Sequence, residues 1–193
     1  MSLERIVQHY KLTDLSGKEI QNLIGKPPVL YSDLKNYKSL NALLGKENYA
    51  IILYQTSSKT EGHFVAITRN DYTGKVRYAD SYGIRTPDME IQFTPYDKQL
   101  PRYLTQLLDG VDYESNTVDY QSKKTGVSTC GRWSSLFCAF RNIPLASITE
   151  MMKMNQDSFL KDTDNIAVLL TLMGLDNIEH YLDAIPRGRH GTM

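Results

Sequence analysis

Residues 62–80 read Gly-His-Phe-Val-Ala-Ile-Thr-Arg-Asn-Asp-Tyr-Thr-Gly-Lys-Val-Arg-Tyr-Ala-Asp, and this stretch decides the fold class. Gly62 to Arg69 is partly alternating and β-branched, Asn70 to Gly74 supplies turn residues, and Val76 to Asp80 resumes as a strand. The spacing predicts a strand, hairpin, strand unit. Just upstream, Asn48 to Gln55 contains Ala50-Ile51-Ile52-Leu53-Tyr54, a short apolar run suited to a buried strand. Downstream, Thr117 to Gln121 reads as one further strand.

Around this centre the period changes to helical. Ser16-Gly17-Lys18-Glu19 has the form of a capping box ahead of Ile20, Leu23 and Ile24, and Gly25 with Pro27-Pro28 should stop that helix. Leu34 to Leu44, ending at Gly45, predicts a second short helix, and Leu100 to Leu108 a third. From Cys130 onward, Trp133, Leu136, Phe137 and Phe140 fall at i, i+3, i+4 and i+7, the face of a buried helix ending near Asn142 and Pro144. Ser147-x-x-Glu150 reads as another capping box, with helices expected over about 148–160 and 163–182. Helices flanking a central mixed or antiparallel sheet make the class α+β. With 193 residues the chain suffices for one sizeable core, so 1–193 is read as a single domain with 186–193 as a loose tail.

Composition excludes several function classes. Lys+Arg and Asp+Glu are equal at 22 each, so no global field favours nucleic acid or an anionic membrane. No apolar run approaches the roughly 20 residues of a membrane span, and the start, Ser2-Leu3-Glu4-Arg5, does not resemble a signal peptide. The two cysteines, Cys130 and Cys138, lie eight residues apart on one predicted helix. That is about 12 Å, beyond the roughly 7 Å reach of a disulfide. They are expected to be free thiols in a reducing compartment, and their spacing lacks the short Cys-x-x-Cys form of a zinc site.

Cys130 stands out because it opens a helix. The free amides and dipole there favour negative charge, and a thiol attacks well only as thiolate. Gly131 leaves room for a substrate backbone to approach, whereas Cys138 reads as a buried, inert thiol. His63 begins its strand beside Gly62, where a side chain can project into a cleft. His9, His180 and His190 have no partner motif. Because a tight hairpin joins the two strands, the beginning of the first lies beside the end of the second, and His63 can meet Asp80. A carboxylate on one imidazole nitrogen orients the ring and stabilises its cation, which leaves the other nitrogen for a thiol.

Gly62-His63-Phe64, Asp80-Ser81-Tyr82-Gly83, Gln121 and Thr129-Cys130-Gly131 resemble, in order and spacing, the adenovirus-protease and Ulp1-like cysteine peptidases. Thr129-Cys130-Gly131-Arg132-Trp133 and the Asp-Ser-Tyr-Gly turn look most like the maturation proteases of virophages, Polinton-like elements and large DNA viruses. The likeness covers roughly residues 48–142. It implies a papain-like fold, a Cys130-His63-Asp80 triad, and an oxyanion hole made by Gln121 and the Cys130 amide. Phe64 stands where the family usually has tryptophan and keeps an aromatic wall for the substrate. Gln121 lies nine residues before the cysteine instead of the usual five to seven, so Ser122 to Thr129 must fold back.

The function this implies is trimming of capsid or other virion precursors, in host cytoplasm, viral factory or virion interior. No metal or cofactor is expected, protein substrates are the expected partners, and activation by a peptide or DNA, of the kind some relatives need, is left open by the sequence. A deconjugating peptidase for ubiquitin-like tails uses the same residues, and a degenerate protease retained as a binding module is the reading from a different class.

Overall fold

The computed structural model describes residues 1–56, 62–153 and 159–175. Two amino-terminal helices, α1 (Leu3–Lys11) and α2 (Gly17–Ile24), precede a two-residue strand, β1 (Val29–Leu30), and a 3-10 turn over Tyr31–Asn36. Then come α3 (Leu40–Leu44), β2 (Tyr49–Gln55), β3 (Gly62–Arg69) and β4 (Val76–Asp80). A 3-10 turn at Met89–Phe93, α4 (Tyr103–Leu107) and β5 (Tyr113–Ser115) follow. Three helices complete the described chain: α5 (Cys130–Ala139), α6 (Leu145–Lys153) and α7 (Thr163–Met173).

The sheet runs β1-β2-β3-β4-β5, with antiparallel pairing of β2, β3 and β4 and parallel short strands at either edge. The class is therefore α+β with a mixed sheet, and the hairpin predicted over 62–80 is its centre. Strands bury both faces, as alternation along β3 shows. Phe64 and Ala66 join Trp133, Leu136, Phe137 and Phe140 in one core, while Val65 and Ile67 join Tyr31, Leu34, Leu43 and Leu104 in another. The α5 stripe is fully inside, Trp133, Leu136 and Phe137 at 0% exposure, each contributing about 1.5–3 kcal/mol by burial.

The Ser16 capping box is present in full, and Gly25 closes α2 in the left-handed conformation. Several local expectations need correction. Leu34–Leu44 is divided, because Ser39 adopts an extended backbone and caps Ala42 N at 3.2 Å, starting α3 afresh. The third helix starts later than Leu100, after Pro101, where Asp88 accepts from Leu104 N and Thr105 N. Thr117–Gln121 is not a strand: β4 ends at Asp80 and leaves no ladder beyond it, so the amides of Tyr120 and Gln121 both converge on Ser81 O. Finally, α6 starts at Leu145 rather than from Ser147, because Pro144 O already accepts from Ile148 N. Likewise α7 stops at Met173, well short of the expected 182, where Gly174 takes a φ of 85°; the expected continuation of α6 to 160 crosses residues outside those described, and the 186–193 tail lies outside them.

Candidate active site

Register brings the first two residues of the site together. His63 pairs with Tyr54 and Val65 pairs with Asp80, so His63 and Asp80 share a face as diagonal neighbours. His63 Nε2 lies 3.1 Å from Asp80 Oδ1, with the two residues 6% and 0% exposed. Asp80 is held at three points: its Oδ1 accepts from Tyr82 N at 2.7 Å, its own N–H donates to Asn116 Oδ1 at 2.9 Å, and its carbonyl accepts from Asn116 Nδ2 at 2.6 Å. The Tyr82 ring stacks on the imidazole, centroids 4.8 Å apart and 21° from parallel. Nε2 is thus engaged, and Nδ1 is the nitrogen left for another partner.

Burial by itself would lower the His63 pKa, yet it is raised well above 6.5, because the Asp80 hydrogen bond, Cys130 and the Asp80 charge all favour the imidazolium. A histidine that gains a proton when buried is an unusual group, and such groups gather at functional sites.

Cys130 opens α5, and Thr129 before it provides no side-chain cap, its hydroxyl donating to Asp164 instead. Cys130 Sγ is 3.9 Å from Gly62 O, which sets the sulfur beside the residue that precedes His63. Gly62 has to be glycine for this: a Cβ there would stand 1.8 Å from Tyr54 O, and relieving the clash would move the start of β3 and His63 with it. Cys130 is itself buried at 7% exposure, and Cys138 lies deeper in the same core. It is 1% exposed in the core, and burial pushes its thiol pKa far up, so it stays protonated. Both cysteines are free, as expected.

Gln121 is also brought to this cluster. Ser81 Oγ donates to its Oε1 at 2.8 Å, and its Nε2 donates to Tyr82 Oη and to Val127 O, both at 3.2 Å. Both amide hydrogens therefore have acceptors in this structure. The longer connection folds back through a turn, Val127 N to Lys124 O at 3.2 Å, and Ser128 N is anchored on Lys11 O at 2.9 Å. Asp164 of α7 ties both ends of the loop: it accepts from Ser122 N at 2.9 Å, from Thr129 Oγ1, and from Trp133 Nε1 at 3.3 Å.

Phe64 and Gly131 lie elsewhere than the cleft reading requires. Phe64 is 4% exposed in the core, and a Cβ on Gly131 would meet Ile20, Leu15 and Phe64 at 3.2–3.4 Å. The glycine allows α5 to approach α2 and β3, and the space beside it holds protein rather than a substrate backbone. His9 lies exposed on α1, and His180 and His190 fall outside the described residues.

Sequence reasoning passed over Tyr82 as a contact, Asn116 and Asp164 as clamps, and Glu90. Tyr82 was signalled by its place two residues after Asp80. The other three had no local signal, since each acts across a long separation. Glu90, 8% exposed in the 3-10 turn after β4, brings a second carboxylate to His63 and Asp80. Burial raises its pKa, the Asp80 charge adds to the rise, and His63 opposes it.

No protein-family model matches the chain, and no solved structure matches it. A protein of the Sputnik virophage, known only as uncharacterized protein V9, is 24% identical over 178 residues, covering 86% of this chain and 98% of that protein. The chain thus has a virophage relative of unknown function over most of its length. Among the described residues no helix is long and apolar enough to cross a membrane.

Proposed function

We propose that the chain is a cysteine endopeptidase of the papain-like, adenovirus-protease and Ulp1-like kind, a virophage or viral maturation protease acting on capsid and other virion precursors. The observation that carries this reading is the buried His63–Asp80 pair, 3.1 Å apart, beside a thiol that opens an uncapped helix. A relative in a virophage supports the setting.

In this reading His63 Nδ1 takes the thiol proton and Cys130 Sγ attacks the peptide carbonyl carbon. Negative charge then develops on the carbonyl oxygen, where the Cys130 amide and Gln121 Nε2 are the donors. Gln121 reaches it by exchanging its bond to Tyr82 Oη for one to the oxyanion. The C–N bond breaks as His63 returns the proton to the leaving amine, and a thioester remains. Water, giving a proton to the same imidazole, then attacks the thioester, releases the acid and regenerates the thiol. Asp80 and the stacked Tyr82 keep the ring in place through both halves.

The test is co-expression with the capsid precursors of its own genome and, separately, with ubiquitin-like fusions. Wild type should trim the precursors and Cys130→Ala should leave them intact. Cleavage of the fusions alone would move the chain to the deconjugating class, and cleavage of neither would contradict the proposal.

A further inference from the structure

His63, Asp80 and Glu90 each present a ligand atom within 4.8 Å of the others, and all three residues are buried. Two carboxyl groups crowd one imidazole in a buried place, an expensive arrangement when both are ionised and no cation lies between them. Asp80 has one oxygen to spare. Its Oδ1 is taken by His63 and Tyr82 N, while Oδ2, on a residue with 0% exposure, meets no hydrogen-bond partner among the described residues. Glu90 comes from a short 3-10 turn rather than from the sheet, so it can shift without disturbing the strand register.

We propose that His63, Asp80 and Glu90 form a binding site for a divalent transition metal of the zinc class, and that its occupancy holds the candidate base inactive. One nitrogen and two carboxylate oxygens suit such an ion, with a fourth position for water. Ligands about 2.0–2.2 Å from zinc in tetrahedral array lie roughly 3.4 Å from one another. His63 Nε2 and Asp80 Oδ1, 3.1 Å apart, are already close to this, and the Glu90 ligand atom, within 4.8 Å of the other two, has to close by no more than about 1.4 Å. The metal takes Nε2, whose proton leaves to solvent. The neutral ring then carries its remaining proton on Nδ1, where it has no lone pair to accept the thiol proton. This inhibitory consequence rests on the proposed peptidase function; the binding site itself does not.

The experiment titrates Zn2+ against a chromophoric chelator with wild type, Cys130→Ser, Glu90→Gln and Glu90→Ala, each checked by circular dichroism. Wild type and Cys130→Ser should bind one equivalent alike. The Glu90 variants should bind about 100-fold or more weakly; the alanine form serves if the glutamine form loses its fold. A Co2+ adduct should lack thiolate-to-metal charge-transfer absorption. Binding that survives in the Glu90 variants but fails in Cys130→Ser would put the ion on the thiol and overturn the proposal, as would absence of binding in all four. If the site binds as described while no peptide is cleaved by any form, the peptidase reading fails and the metal site stands.

Discussion

The two sides of the cluster around Cys130 are built by different means. On the sheet side, His63 and Asp80 are set by strand register, and a hairpin of ordinary dimensions brings their side chains to 3.1 Å. On the loop side, Gln121 sits in irregular chain, held by Ser81, Tyr82 and Val127, while α7 ties the loop through Asp164. Tyr82 joins the two sides, with its ring on His63 and its hydroxyl on Gln121. The sheet side rests on ladder register; the loop side depends on distant clamps and, in the proposed mechanism, exchanges a hydrogen bond.

That contrast orders the expected effects. His63→Ala should be the largest, lowering turnover of a peptide substrate by about 10²–10⁴-fold with the circular dichroism spectrum unchanged. Activity near wild type would break the assignment of the sheet side. Next comes Gln121→Ala, expected to cost about 10²–10³-fold in kcat while leaving the alkylation rate of Cys130 nearly as it was, since the base is untouched. Asp164→Ala should approach the same loss by detour. It frees Ser122, Thr129 and Trp133 from a shared acceptor, with a stability decrease of about 1–3 kcal/mol in urea unfolding. Equal loss of alkylation and turnover in Gln121→Ala would show that the two sides are not separable.

The smallest effect lies in the pH dependence of stability. His63 has a folded pKa raised above 6.5, so folding favours its protonated form. Its contribution is complete below the ordinary histidine value and is lost as pH rises through the raised value. Urea midpoints of wild type should fall toward those of Asp80→Asn across that range; parallel curves would mean that Asp80 does not stabilise the imidazolium.

The same contrast explains what the sequence made legible. The places of His63, Asp80 and Cys130 follow from periodicity, two strands, a turn, and an apolar stripe that begins one turn after the cysteine, while their joint role is what the resemblance implies. Gln121 was read as the end of a strand that does not form, because a short polar stretch between turns carries no period to distinguish ladder from loop. Asn116 acts on Asp80 across 36 residues, Asp164 on Ser122 across 42, and Glu90 faces His63 across 27, separations that no local pattern encodes. Gly131 was read as making room for substrate, and its neighbours Ile20, Leu15 and Phe64 show that the room is for the core. An invisible distinction of this kind is ordinary, since a glycine beside a site and a glycine under a helix look alike in one dimension.

The most direct measurement is labelling with a thiol-directed peptide probe, followed by mass mapping of the adduct, for wild type, Cys130→Ala, Cys138→Ala and His63→Ala. The account predicts an adduct on Cys130 in wild type and in Cys138→Ala, none in Cys130→Ala, and strongly slowed labelling in His63→Ala. Labelling that persists unchanged in Cys130→Ala, or that falls on Cys138, would contradict it.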